Sequence, residues 1–216
     1  MEIQEHVELA PYTTLKVGGP ARYLVTVTSL QDLEQARLFA QQIGVPVFVL
    51  GQGSNVLVSS DGYPGLVIVN QINGKKYQQN TDGSVIVTCG GGENWDTLVA
   101  DTVDRGLWGL ENLSHIPGTV GATPVQNVGA YGVEVSDRIV SVDALSLATG
   151  ERRTFSPADC QFSYRDSYFK TEAGRNWVIV SVTFSLSPDS SAAVLGYADL
   201  LTFTESKVDF SQLELR

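Results

Sequence analysis

Two glycines one residue apart, followed by a serine and an asparagine, are the first groups in this chain that could do chemistry. They lie in the stretch Val47-Phe-Val-Leu-Gly-Gln-Gly-Ser-Asn-Val-Leu-Val58. Gly51 and Gly53 let a backbone turn sharply and approach a ligand closely. The successive N–H groups of Gly51, Gln52, Gly53, Ser54 and Asn55 can form an anion-binding nest. The short side chains of Ser54 and Asn55 can add donors. The chemistry on offer is the cradling of a phosphate or pyrophosphate. A P-loop is excluded because no lysine follows Gly53. A Rossmann fingerprint is excluded because there is no third glycine, and Val56, Leu57 and Val58 read as a resumed strand rather than a helix. A pyrophosphate held here would therefore sit between strands. The same residues could form a hairpin turn with no ligand, and the loop alone leaves both readings open.

The second unusual stretch runs over residues 112–133, from Asn112 to Val133, without one Asp, Glu, Lys or Arg. Pro117, Pro124 and Gly118, Gly121, Gly129 and Gly132 break it too often for one helix, and it is too polar to span a membrane. A long uncharged run of small residues suits the face of a flat, mostly apolar cofactor, whose ring edges the backbone would read. The alternative is a buried loop packed between lobes. Its length favours the functional reading, since long loops inside compact domains usually serve one.

These stretches need elements to position them. Arg22 to Val27 reads as a strand. Ser29 caps a helix whose apolar positions are Leu33, Ala36, Ala40 and Ile43, and which Gly44 ends. Val47 to Leu50 completes a β-α-β unit that delivers the glycine loop, and Leu66 to Val69 gives another strand. A second lobe begins near Asn70. Val85 to Thr88 is a strand, and a helix carries Trp95, Leu98, Val99, Thr102 and Val103 on one face before closing at Gly106. Ile139 to Leu147 and Arg152 to Phe155 form a hairpin, Ser156 caps a short turn over Pro157 to Cys160, and Trp177 to Leu186 is a strong strand. The expected class is α+β in two lobes.

Composition narrows the function. The chain has 216 residues, 43% hydrophobic and 18% charged, with a formal charge of −10. That describes a soluble globular protein and argues against a nucleic-acid surface, while leaving room for an anionic small ligand. No apolar run reaches membrane length, and the acidic start is no signal peptide, which points to the cytoplasm. Cys89 and Cys160 are expected as buried thiols in a reducing compartment. Neither His6 nor His115 has a partner at metal-ligand spacing, so no metal site is expected.

Three stretches together resemble a known family. Leu50-Gly-Gln-Gly-Ser-Asn-Val-Leu57, residues 116–134 and Tyr164-Arg-Asp-Ser-Tyr-Phe-Lys170 are similar to the UDP-N-acetylenolpyruvoylglucosamine reductases (MurB), and Thr13 to Ala21 matches that family's opening segment. The order and spacing match across nearly the whole chain. The resemblance implies a fold of the vanillyl-alcohol oxidase / p-cresol methylhydroxylase type and non-covalent FAD. It also implies NADPH-linked reduction of UDP-N-acetylglucosamine enolpyruvate to UDP-N-acetylmuramate in peptidoglycan synthesis.

The same resemblance implies roles. Gly51, Gln52, Gly53, Ser54, Asn55, Val56 and Leu57 would carry the FAD pyrophosphate. Pro117, Gly118, Val120, Gly121, Ala122, Thr123, Gln126, Asn127, Gly129, Ala130 and Gly132 would line the flavin. Tyr131, Tyr164 and Tyr197 would meet the UDP-sugar. Arg165 matches the active-site arginine, which would hold charge developing beside the substrate carboxylate. Without the family pattern, Arg165 would read as a surface ion pair with Asp166 or a nearby acid.

In the family, a serine proton donor and a glutamate lie beyond the matched region. Residues 1–69 and 70–200 are therefore read as the two flavin-binding lobes. Residues 201–216, with a Ser211 cap, are read as the start of a truncated linker to a missing substrate domain, so that no turnover is expected from these residues alone. Two other readings stay open. One is an FAD oxidase of the same fold, against which stands the lack of a histidine in the glycine loop. The other is a non-catalytic module that binds flavin or a UDP-sugar.

Overall fold

A computed structural model of the protein describes residues 1–197 together with Leu200 and Thr202. The expected linker over residues 201–216 and the Ser211 cap lie outside the described residues, apart from Thr202.

The first sheet is built from β1 (Ile3–Glu8), β2 (Pro20–Val27), β3 (Val47–Leu50) and β4 (Tyr63–Asn70), in the order β1-β2-β4-β3. β1 runs antiparallel to β2, whereas β2, β4 and β3 are mutually parallel. The helix α1 (Leu30–Ile43) makes the crossover from β2 to β3. Its N-cap is Ser29, whose side chain accepts from the N–H of Asp32, and it stops at Gly44 with φ 69°. The expected β-α-β unit is present, with β4 inserted between its two strands.

One expectation fails here. Val56, Leu57 and Val58 are not a strand. β3 and β4 are parallel, with Val47 opposite Leu66, so the chain must travel back along the pair before β4 can start. A two-residue hairpin cannot do this; a parallel pair needs a connection of about a dozen residues. The segment from Gly51 to Gly62 makes that return irregularly. It is held down where Gly19 N–H donates to Ser59 O (2.8 Å) and where Val58 packs against Gly18.

The second sheet contains β5 (Lys75–Gln79) and β6 (Val85–Gly90), followed by α2 (Trp95–Asp104) and the small hairpin β7 (Gly129–Ala130) and β8 (Val133–Glu134). It is completed by β9 (Ile139–Ser146), β10 (Arg152–Phe155), the short helix α3 (Pro157–Cys160) and β11 (Trp177–Leu186). β7 and β8 pair with each other outside it. The main sheet is antiparallel, in the order β10-β9-β11-β6-β5. Its inner face, with Val87, Val142, Val182 and Phe184, packs on Trp95, Leu98 and Val99 of α2.

α1 joins the two sheets. Leu33, Ala36 and Ala40 contact Val25, Leu66 and Ile68 of the first and belong to one cluster with Leu145, Val178 and Val180 of the second. The side chain of Asn70, at the end of β4, adds a direct link by donating from Nδ2 to Ile179 O of β11 (3.0 Å). Cys89 and Cys160 are buried free thiols, and burial pushes each up to about 12. Neither is therefore a thiolate nucleophile at neutral pH.

Candidate functional site

The glycine loop and the uncharged stretch meet. Ser54 Oγ donates to Pro117 O (3.3 Å), Gly118 N–H donates to Gln52 Oε1 (3.2 Å), and Asn55 Nδ2 donates to Gln126 Oε1 (2.7 Å). Gly51 is pressed so closely on this stretch that a Cβ there would lie 2.6 Å from Thr119 Oγ1. Gly53 has φ 66°, and a Cβ on it would fall 2.2 Å from Tyr12 O. Tyr12–Thr14 thus forms the floor of the loop, and Thr14 N–H donates to Gly53 O (3.1 Å).

With its glycines committed to packing, the loop leaves its amides over. Among the described residues, the backbone N–H groups of Gly51 to Asn55 donate to no protein acceptor. Successive unpaired amides beside glycine turns are the geometry of an anion-binding nest. Val56 is half-buried beneath the loop and Leu57 is 78% exposed. A shallow depression of about 400 Å³ lined by Leu30, Lys75, Lys76, Arg152 and Ser181, among others, shares no residue with this seam.

Within the uncharged stretch, Val120, Gly121 and Thr123 turn into the second lobe. Val120 is fully buried, Gly121 N–H donates to Gly91 O (2.9 Å), and Thr123 Oγ1 donates to Val120 O (2.8 Å). Trp95 Nε1 anchors the start of the stretch through Leu113 O (2.8 Å). Pro117 and Ala122 stay exposed. Gly129 and Ala130 form β7, and Tyr131 (φ 49°) and Gly132 (φ 79°) make the two-residue turn into β8. Positive φ at both turn positions matches the twist of a hairpin. The turn leaves Tyr131 47% exposed, with its ring edge-to-face against Tyr197 at 5.4 Å.

Arg165 sits on a second turn. Ser163 and Asp166 exchange both backbone hydrogen bonds (3.1 Å each), placing Tyr164 and Arg165 at the tip. Tyr164 is 82% exposed, and the Arg165 guanidinium carbon lies 5.9 Å from its ring centre. No ion pair forms between Arg165 and Asp166 or any other described carboxylate. Among the described residues, the guanidinium therefore has no carboxylate partner.

Three positioning side chains escaped the sequence reading. Ser167 Oγ donates to Val125 O (2.7 Å), tying the arginine turn to the uncharged stretch. Asn112 Nδ2 donates to Tyr131 O (3.2 Å) and Val194 O (2.8 Å), tying the tyrosine turn to the segment that carries Tyr197. Glu134 accepts from Asn127 (2.7 Å). A short polar side chain inside an otherwise uncharged, glycine-rich run was the available signal for Asn112.

The seam holds free amides on one side and an uncharged, backbone-rich wall on the other. A family model described as "FAD binding domain" matches residues 21–156, which contain both sides. The chain belongs to this FAD-binding family. Over 184 residues it is 46% identical to the UDP-N-acetylenolpyruvoylglucosamine reductase of Pseudomonas putida, covering 85% of this chain and 54% of the relative. The chain thus spans about half the length of the curated relatives it matches. Among solved structures, it resembles the UDP-N-acetylenolpyruvylglucosamine reductase (MurB) of Thermus caldophilus, with a TM-score of 0.68 and 28% identity over 97% of this chain and 71% of that one. A VAO-type flavoprotein of Myceliophthora thermophila matches at a TM-score of 0.60 and 19% identity, over 82% of this chain and 34% of that one, a likeness of fold. The fold is therefore the two-lobed α+β FAD-binding type. No helix among the described residues is long and apolar enough to cross a membrane, and none of their His, Cys, Asp and Glu side chains cluster in threes.

The seam bond between Asn55 and Gln126 can be tested alone. A hydrogen bond of this kind is worth about 0.5–1.5 kcal/mol, so Asn55→Ala should weaken FAD binding roughly 2- to 10-fold in a fluorescence titration. An affinity equal to wild type would mean that the cofactor does not need the seam closed at this point.

Proposed function

We propose that this chain carries the FAD-binding part of a cytoplasmic, NADPH-linked UDP-N-acetylenolpyruvoylglucosamine reductase, acting in peptidoglycan synthesis on a UDP-sugar enolpyruvyl ether. The observation that carries the reading is the seam. Two glycine-rich stretches more than sixty residues apart are hydrogen-bonded to each other, and the loop amides remain free. In this reading Gly51–Leu57 hold the pyrophosphate, and Pro117–Gly132 lie along the flavin. Bound flavin supplies the hydride chemistry. The protein's own residues bind, align and stabilise charge: Tyr131, Tyr164 and Tyr197 contact the UDP-sugar, and Arg165 holds its carboxylate end.

Purified protein mixed with FAD should develop the visible spectrum of a bound flavin and release it on denaturation. Anaerobic NADPH should then bleach it. Flavin retained by the denatured chain would indicate a covalent oxidase. Bound flavin that NADPH leaves coloured would indicate a binding module, and absence of binding would remove the reading altogether.

A further inference from the structure

We propose that Asn127 is a positioning residue that holds the Arg165 turn in place for a carboxylate ligand. This rests on the reading of Arg165 given above and adds the means by which the guanidinium is aimed. Asn127 is buried (1% exposed) with φ 42°, a conformation asparagine tolerates better than most residues. Its side chain makes three hydrogen bonds inside the protein. Nδ2 donates to Glu134 Oε2 (2.7 Å) and to Ser163 O (3.1 Å), and Oδ1 accepts from Ser136 N–H (3.2 Å). An amide nitrogen has two donors, and both are spent on the protein here.

The three partners come from different segments. Glu134 and Asp137 form a reciprocal capping box, with Glu134 N–H donating to Asp137 Oδ2 (3.0 Å), which fixes the carboxylate that receives Asn127. Ser163 O accepts from Asn127 and also from Asp166 N–H, closing the turn and anchoring it with the same oxygen. On the far side of the tip, Ser167 Oγ is bonded to Val125 O. The turn is thus pinned on both flanks of Arg165 to residues 125–127, the stretch that faces the glycine loop. Arg165 itself is held at φ 55°, and Lys170 Nζ donates to its carbonyl. A long cationic side chain on an exposed tip would otherwise sweep a wide volume. Pinning the base of the turn restricts that search, which is what oriented recognition of a planar carboxylate requires.

The test compares two ligands on FAD-loaded protein by calorimetry: UDP-N-acetylglucosamine enolpyruvate, which has the carboxylate, and UDP-N-acetylglucosamine, which lacks it. Asn127→Gly keeps the backbone conformation available and deletes all three side-chain bonds. It is expected to reduce the preference for the carboxylate-bearing ligand over UDP-N-acetylglucosamine by about 10- to 100-fold, both measured at saturating FAD. A merely structural role would lower the melting temperature and weaken both ligands alike, leaving the preference as it was, and that pattern overturns the proposal. If Asn127→Gly does not fold, Ser167→Ala carries the test with the same selective loss expected, and uniform losses there overturn it too. Arg165→Ala separates the two levels. If it loses the preference while Asn127→Gly and Ser167→Ala keep it, the positioning role falls and the reading of Arg165 stands. If wild type shows no preference, or Arg165→Ala retains it, the reading of Arg165 fails and the positioning role falls with it.

Discussion

Replacing Gly53 with valine is expected to strip the protein of flavin and lower its melting temperature. The sequence alone attributes this glycine to close approach of a phosphate, but the structure gives a different obstacle. Gly53 has φ 66°, and its missing side chain would point at the Tyr12 carbonyl, 2.2 Å from the built Cβ. A left-handed conformation costs about 1–2 kcal/mol for a residue with a side chain. Forcing atoms into a filled space adds about 1–3 kcal/mol. The obstruction is backbone, so it cannot swing away. The loop must lift off Tyr12–Thr14, and its amides then lose their common focus. FAD affinity should fall by at least about 100-fold, equivalent to roughly 3 kcal/mol. Gly44 supplies the control. It also has positive φ (69°), but a Cβ there meets nothing within 4 Å. Gly44→Ala should cost stability at the end of α1 and leave flavin affinity as it is. Flavin binding by Gly53→Val at wild-type strength would take the pyrophosphate away from this loop.

The contrast between these two glycines shows which parts of the molecule a sequence can disclose. Local signals were legible. Ser29 and Gly44 bound α1 because a cap and a left-handed stop are properties of a few adjacent residues. Ser156 and the face of α2 read out for the same reason. β1 and β5 were not foreseen. Both lie at sheet edges, and sequences such as Ile-Gln-Glu-His-Val-Glu and Lys-Lys-Tyr-Gln-Gln lack the apolar alternation of a half-buried strand. Polar edges are how sheets avoid pairing with other chains, so the signal is weak by its nature. Val56–Val58 misled because strand propensity says nothing about direction, and only the parallel pairing of β3 with β4 forbids a hairpin there. The candidate site divides in the same way. That the loop and the uncharged stretch could each serve a ligand was visible in their composition. That Asn55 bonds to Gln126, or that Asn127 reaches Ser163, depends on contacts across 71 and 36 positions, which no local pattern encodes.

On the proposed function, Arg165→Ala is expected to divide the catalytic cycle in two. The step that reduces the enolpyruvyl substrate should slow by about 3–4 kcal/mol, in the range measured when one preorganised donor is removed from developing negative charge. The step that consumes NADPH should keep its rate. The asymmetry follows from where charge appears. Adding hydride to the enolpyruvyl double bond leaves electron density beside the substrate carboxylate, whereas oxidation of NADPH places no charge there. The structure adds two reasons for a large effect. The guanidinium has no carboxylate partner among the described residues, so its capacity is not already spent inside the protein. Its turn is anchored through Ser163 and Ser167, so little ordering remains to be done when the ligand arrives. Rapid-mixing absorbance of the flavin resolves the two steps separately. Arg165→Lys refines the result: it keeps the charge and loses the planar fork, so it should recover part of the rate but not all of it. Equal slowing of both steps by Arg165→Ala would reduce the residue to a structural one, and full recovery by lysine would show that charge alone, without bidentate geometry, is what the site uses.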